Sequence, residues 1–192
     1  MKKNHLTGKD YERIEEEVTN LIEDMNIKYF PFNCFEVARL LNIEVKSYSS
    51  IPKEDQEKCL SETEDGYSTK NGNIYIIYYN DKKPLHRIKF TIWHEIGHIQ
   101  LGHFEENEKS DELMEKEANH FAAYAMAPIC LIFAYKLFDP FDISYQFDIG
   151  YEFASHKYQH YLNVRRWPSV VTKICNDRLQ NIITFNLKEE IA

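Results

Sequence analysis

The five residues His94-Glu95-Ile96-Gly97-His98 restrict this chain more than any other stretch. On a helix, residues four apart share a face, so the two imidazoles present their nitrogens to a single ion. Zinc suits that pair. Two nitrogen ligands and one carboxylate leave a fourth position for a water, whose pKa drops from about 15.7 to about 7. Glu95 follows His94 directly, which sets its carboxylate beside such a water, where it accepts a proton during attack as general base. Ile88, Ile92, Ile96 and Ile99 recur at helical spacing and give this helix an apolar stripe to bury. Gly97 inside the helix costs about 1 kcal/mol relative to Ala, so the spacing predicts a close neighbouring backbone there.

A third ligand must come from elsewhere in the chain. Met114, Ala118, Phe121, Ala122 and Ala125 define the apolar face of a second helix, with Glu115 and Glu117 on its opposite sides. Wheel geometry does not choose between the two acids. Asn119, however, lies four residues after Glu115 on the same side, so this pair would supply one carboxylate ligand and one polar group that orients a metal-bound imidazole. The metal set read here is therefore His94, His98 and Glu115 around Zn2+, with Glu117 as the competing third ligand. Taken alone, such acids are usually solvated helix charges. His103 is a candidate fourth donor, but Leu101-Gly102-His103 reads more simply as a helix C-cap with a basic residue near the helix dipole.

The run Arg87-x-x-Phe90-Thr91-x-x-His94-Glu95-Ile96-Gly97-His98, then Glu115-x-Glu117-Ala118-Asn119-x-Phe121-Ala122-Ala123 and Met126-x-Pro128, resembles the ImmA/IrrE-type zinc metallopeptidases. The resemblance reaches more weakly upstream to Phe35–Val45 and downstream to about residue 160. It implies that the third zinc ligand is the first acid of a Glu-x-x-Ala-Asn/Asp run, which falls on Glu115. It also implies a bacterial or mobile-element regulator that cleaves, or otherwise inactivates, a DNA-binding repressor of the Xre type. Asn42 departs from the Gly often found at that place in the family, yet Asn is the next best residue for a left-handed cap.

Chain length allows one well-packed core. The expected fold is α+β, a mainly helical metallopeptidase core with a small, largely antiparallel sheet flanking the HExxH helix. Residues 1–140 would form the zinc metallopeptidase domain with its N-terminal helices, and 141–192 a helical extension packed on the same core. A helix is predicted over 9–27, with Thr7 and Asp10 as its start signal, and another through Leu41 from a capping box at Asn33 and Glu36. Ile43 to Val45 reads as a short strand, residues 52–65 as an exposed helix or mobile loop, and Asn71-Gly72 as a hairpin turn before the strand 73–79. That strand, just before the zinc helix, is the candidate cleft edge for holding an extended peptide. Residues 142–156 resemble a short helix-turn-helix-like element, and Ile182 to Phe185 a last strand.

A net charge of −8 opposes direct nucleic-acid binding and suits a basic protein partner better. Cys34, Cys59, Cys130 and Cys175 show no C-x-x-C spacing and read as reduced cytosolic thiols. The N-terminus lacks an apolar run, so no signal peptide and a cytoplasmic location are expected. Residues 118–135 carry no charged side chain, but Asn119, His120 and Pro128 favour a buried helix, a turn and a second apolar helix over a membrane span. The functional expectation is a zinc-dependent endopeptidase. Its rival is a non-catalytic interaction module that neutralises a regulator or toxin partner by binding.

Overall fold

The computed structural model describes residues 5–105, 109–175 and 177–183. In chain order these form α1 (Gly8–Asp24), α2 (Cys34–Leu40), β1 (Glu44–Ser47), α3 (Lys53–Glu62), β2 (Gly66–Asn71), β3 (Ile74–Tyr79), α4 (Leu85–Gln100), α5 (Asp111–Met126), α6 (Ile129–Ala134), α7 (Pro140–Phe147), α8 (Tyr151–Val164) and α9 (Pro168–Cys175). The mainly helical α+β fold expected from the sequence is what is found. Two compact units emerge, one of residues 1–17 and 33–122, the other of residues 18–32 and 123–192.

Local signals set most boundaries in the first unit. Asp10 accepts from the Thr7 backbone N–H at 2.6 Å and from its hydroxyl at 2.5 Å, which starts α1. Asn33 accepts from the N–H groups of Phe35 and Glu36 at the start of α2. At the far end Asn42 adopts φ 56°, and Ile43 N–H reaches back to the Ala38 carbonyl at 2.9 Å, a Schellman closure with Asn in the glycine's role.

The sheet has the order β1-β3-β2. The hairpin pair β2 and β3 is antiparallel and closes through Gly72, at φ 62° in the first central position of a two-residue turn. The pair β1 and β3 is parallel, with Val45 opposite Ile77. Strand 74–79 is therefore central and paired on both sides, so the candidate peptide-holding edge is not there. The edge beside α4 is β2.

Helix α4 buries Ile88, Ile92, Ile96 and Ile99, the stripe expected from spacing. Each such side chain contributes roughly 1.5–3 kcal/mol by leaving water. Gly97 lies where a Cβ would come within 3.1 Å of the Phe121 side chain on α5, so the close neighbour is a ring rather than a backbone. That contact sets how near the two helices approach.

In the second unit, Pro128 precedes α6, which buries Ile129, Cys130, Leu131 and Ile132. The helix, turn and apolar helix expected over 118–135 are present, and no helix among the described residues is long and apolar enough to cross a membrane. Asp139 caps α7 through the N–H groups of Phe141 and Asp142, and Asp148 at φ 48° turns the chain into α8. Residues 181–183 are helical, so the expected strand at 182 is replaced by helix there, while 184 and 185 lie outside the described residues. Cys34, Cys59 and Cys130 are buried and not joined in disulfides.

Candidate metal centre

Helix α4 and helix α5 together present three potential ligands. The nearest donor atoms of His94, His98 and Glu115 all lie within 4.8 Å of one another. His94 Nε2 and His98 Nε2 are 3.0 Å apart, and the Glu115 oxygens stand 3.4 Å from the first and 3.2 Å from the second. The three residues expected as ligands are thus brought together. Glu117 is not among them. It is 2% exposed and turned to the other side of α5, where Arg13, Lys109 and His103 surround it.

The outer nitrogen of each imidazole is also held. His94 Nδ1 donates to Asn119 Oδ1 at 3.1 Å, as the Glu115 to Asn119 spacing suggested. His98 Nδ1 lies 2.9 Å from His103 Nδ1, and His103 Nε2 lies 2.9 Å from Glu117 Oε2. The Leu101-Gly102-His103 turn does cap α4 as expected: Gly102 takes φ 70° and the His103 N–H binds the His98 carbonyl at 3.0 Å. The His103 ring, however, is buried against His98 rather than standing free near the helix dipole.

A donor set of this kind fits a divalent cation. With Nδ1–H of His94 directed at a carbonyl, its Nε2 carries a lone pair aimed at the similarly placed Nε2 of His98. At 3.0 Å apart, the two Nε2 atoms are close enough to face one cation together when neither carries a hydrogen. Two imidazole nitrogens and one carboxylate oxygen, with an open side, are the ligand types of a catalytic zinc site. Burial depresses the His94 pKa despite Glu115 and Asn119, and burial with the neighbouring His94 and His103 brings His98 down to about 3. Both rings are therefore neutral at physiological pH, the form that ligates metal.

Glu95 faces the same space. Burial pushes its pKa up to about 7, against the Ser68 hydrogen bond and with the aid of the nearby Glu115 charge. Ser68 Oγ donates to Glu95 Oε2 at 2.5 Å. A carboxylate poised near neutrality is suited to accept and return a proton. Sequence reading did not find Ser68, because 27 residues separate it from Glu95 and nothing in the linear pattern joins them.

Why Ser68 reaches Glu95 follows from residues just before it. A Cβ on Gly66 would stand 2.6 Å from both the Thr91 methyl and the Tyr78 carbonyl, so only glycine lets β2 lie so close to α4 and β3. Arg87 clamps Asp65 with Nε at 3.0 Å and a terminal nitrogen at 2.6 Å, and that contact holds the Asp65 carboxyl below its ordinary range. A cleft of about 800 Å³ results, walled by Gly66, Tyr67 and Ser68 on one side and Phe90, His94 and Glu115 on the other.

A helix offering a histidine pair, a neighbouring helix offering a carboxylate, and an edge strand bordering the cleft are parts found in metallopeptidases. This chain belongs to the Peptidase_M78 family, described as the IrrE N-terminal-like domain, whose model matches residues 56–158. That span contains the whole cleft, and the family points to a metallopeptidase-type function. Among curated proteins, none matches the chain.

Proposed function

We propose that this protein is a zinc-dependent endopeptidase acting in the cytoplasm, with His94, His98 and Glu115 as ligands and Glu95 as general base. The observation that carries the reading is the convergence of three ligand atoms beside a buried carboxylate whose pKa lies near neutrality. When bound, zinc supplies a Lewis acid for the scissile carbonyl and lowers the pKa of a water. Glu95 would take a proton from the attacking water and return it to the departing amine. Asn119 keeps the His94 ring oriented, and Ser68 holds the Glu95 carboxylate in place. The substrate lies extended along β2, which among the described residues is an edge strand of the sheet, and pairs with its outer backbone in the manner of strand addition.

The substrate we propose is a helix-turn-helix repressor of the Xre type, so that proteolysis relieves repression. Two considerations support it: the family resemblance of the motifs, and a net charge of −8 that favours a basic DNA-binding protein over DNA itself. The test incubates purified protein with the Xre-type regulator encoded nearest to it, with zinc, with a chelator, and as Glu95→Gln. Cleavage by the zinc form alone is expected. Relief of repression that survives in Glu95→Gln would replace the peptidase with a binder that neutralises its partner.

A further inference from the structure

We propose that His103 and Glu117 form a buried positioning relay that fixes the His98 ring in its metal-binding tautomer; this rests on the metal reading above. The relay is built at the junction of the two ligand helices. Gly102 in the left-handed conformation folds the chain back at the end of α4, so His103 is bonded to His98 twice, by backbone N–H to carbonyl at 3.0 Å and by Nδ1 to Nδ1 at 2.9 Å. The side chains of His103 and Glu117 are 3% and 2% exposed, so water does not compete for either contact.

The direction of each hydrogen bond follows from the end of the chain of contacts. Glu117 receives Lys109 Nζ at 2.6 Å and the Arg13 guanidinium at 2.5 Å, so it is held as an ionised carboxylate and only accepts. His103 Nε2 therefore carries the hydrogen in its 2.9 Å bond to Glu117, leaving a lone pair on Nδ1 of the neutral ring. That lone pair accepts Nδ1–H from His98, and the His98 Nε2 lone pair is left facing His94 Nε2 and Glu115. Had His103 been absent, the His98 ring could flip or place its hydrogen on Nε2, and either change removes a ligand. Asn119 performs the same service for His94 with a single amide. The two acids of α5 thus divide the work: Glu115 faces the ion, while Glu117 acts on it through two imidazoles.

The test measures zinc affinity of the full chain by competition with a chelator of known strength, alongside thermal melting of the metal-free protein. His103→Phe fills the same space without an acceptor and is expected to weaken zinc binding about 10–100-fold. Its metal-free melting temperature should stay near that of the parent, because Glu117 keeps Arg13 and Lys109. His103→Asn restores a carbonyl oxygen at the place of Nδ1, facing His98, and should recover much of the affinity. Glu117→Gln, which leaves His103 a weaker acceptor, is expected to fall between. Equal affinities in parent and His103→Phe would overturn the relay, as would a loss of affinity that only tracks a loss of metal-free stability. If His103→Phe does not fold, long-range nitrogen NMR of the zinc-loaded parent decides: the relay requires hydrogen on His98 Nδ1, and hydrogen on Nε2 ends it. A parent that binds no zinc at all would instead defeat the metal reading itself.

Discussion

The two flanks of α5 carry one residue type into opposite surroundings. On the cleft side the Glu115 side chain is 57% exposed, with two imidazole nitrogens near its oxygens. On the other side Glu117 is 2% exposed and engaged by a guanidinium, an ammonium and an imidazole. A carboxylate whose lone pairs are already taken by buried donors is not available to a metal, whereas one with open lone pairs beside two unprotonated nitrogens is. Burial of Glu117 carries a desolvation cost that its partners offset, since its pKa falls despite burial through Lys109 and His103. Exposure leaves Glu115 available as a ligand, whereas enclosure among donors suits Glu117 to a supporting role.

Breaking the cleft side should change chemistry and leave folding alone. The largest effect expected is in Glu95→Gln, where hydrolysis drops by about 10²–10⁴-fold while zinc content and melting temperature stay unchanged. Glu115→Ala should lose zinc in a chelator competition with the metal-free melting curve intact. Its counterpart on the buried side should do the reverse first. Glu117→Ala is expected to lower metal-free stability by roughly 2–3 kcal/mol, short of the about 3–5 typical of a broken buried ion pair, because Arg13 and Lys109 still reach solvent. Denaturant titration of the two variants side by side checks this, and equal destabilisation would erase the distinction drawn between them.

Two glycines sharpen the same contrast. Gly66→Ala forces β2 away from Tyr78 and Thr91, so it should weaken the Ser68 to Glu95 contact and reduce activity more than the roughly 1–3 kcal/mol it costs in stability would explain. Gly97→Ala meets the Phe121 ring at 3.1 Å, and the gain in helix propensity of roughly 1 kcal/mol offsets part of the overpacking. A net loss of about 1 kcal/mol, read by denaturant titration with zinc stoichiometry unchanged, is the smallest effect expected.

Much of this protein is written in short-range pattern. The histidine spacing, the isoleucine stripe, the caps at Thr7, Asn33 and Asn42 and the turn at Gly72 each depend on residues within a few positions, where backbone geometry and one hydrogen bond decide the outcome. Even Glu117 left a trace, since it stands four residues from Leu113 and four from Phe121, both buried, and so lies on a face where a charge needs partners. What the pattern could not express is contact between distant segments. That β2 and not β3 is the edge, that Ser68 meets Glu95, and that Arg13 closes over Glu117 all depend on packing between elements separated by many residues. Linear order specifies which helices and strands form, but only their mutual approach across Gly66 and Gly97 determines which polar atoms meet.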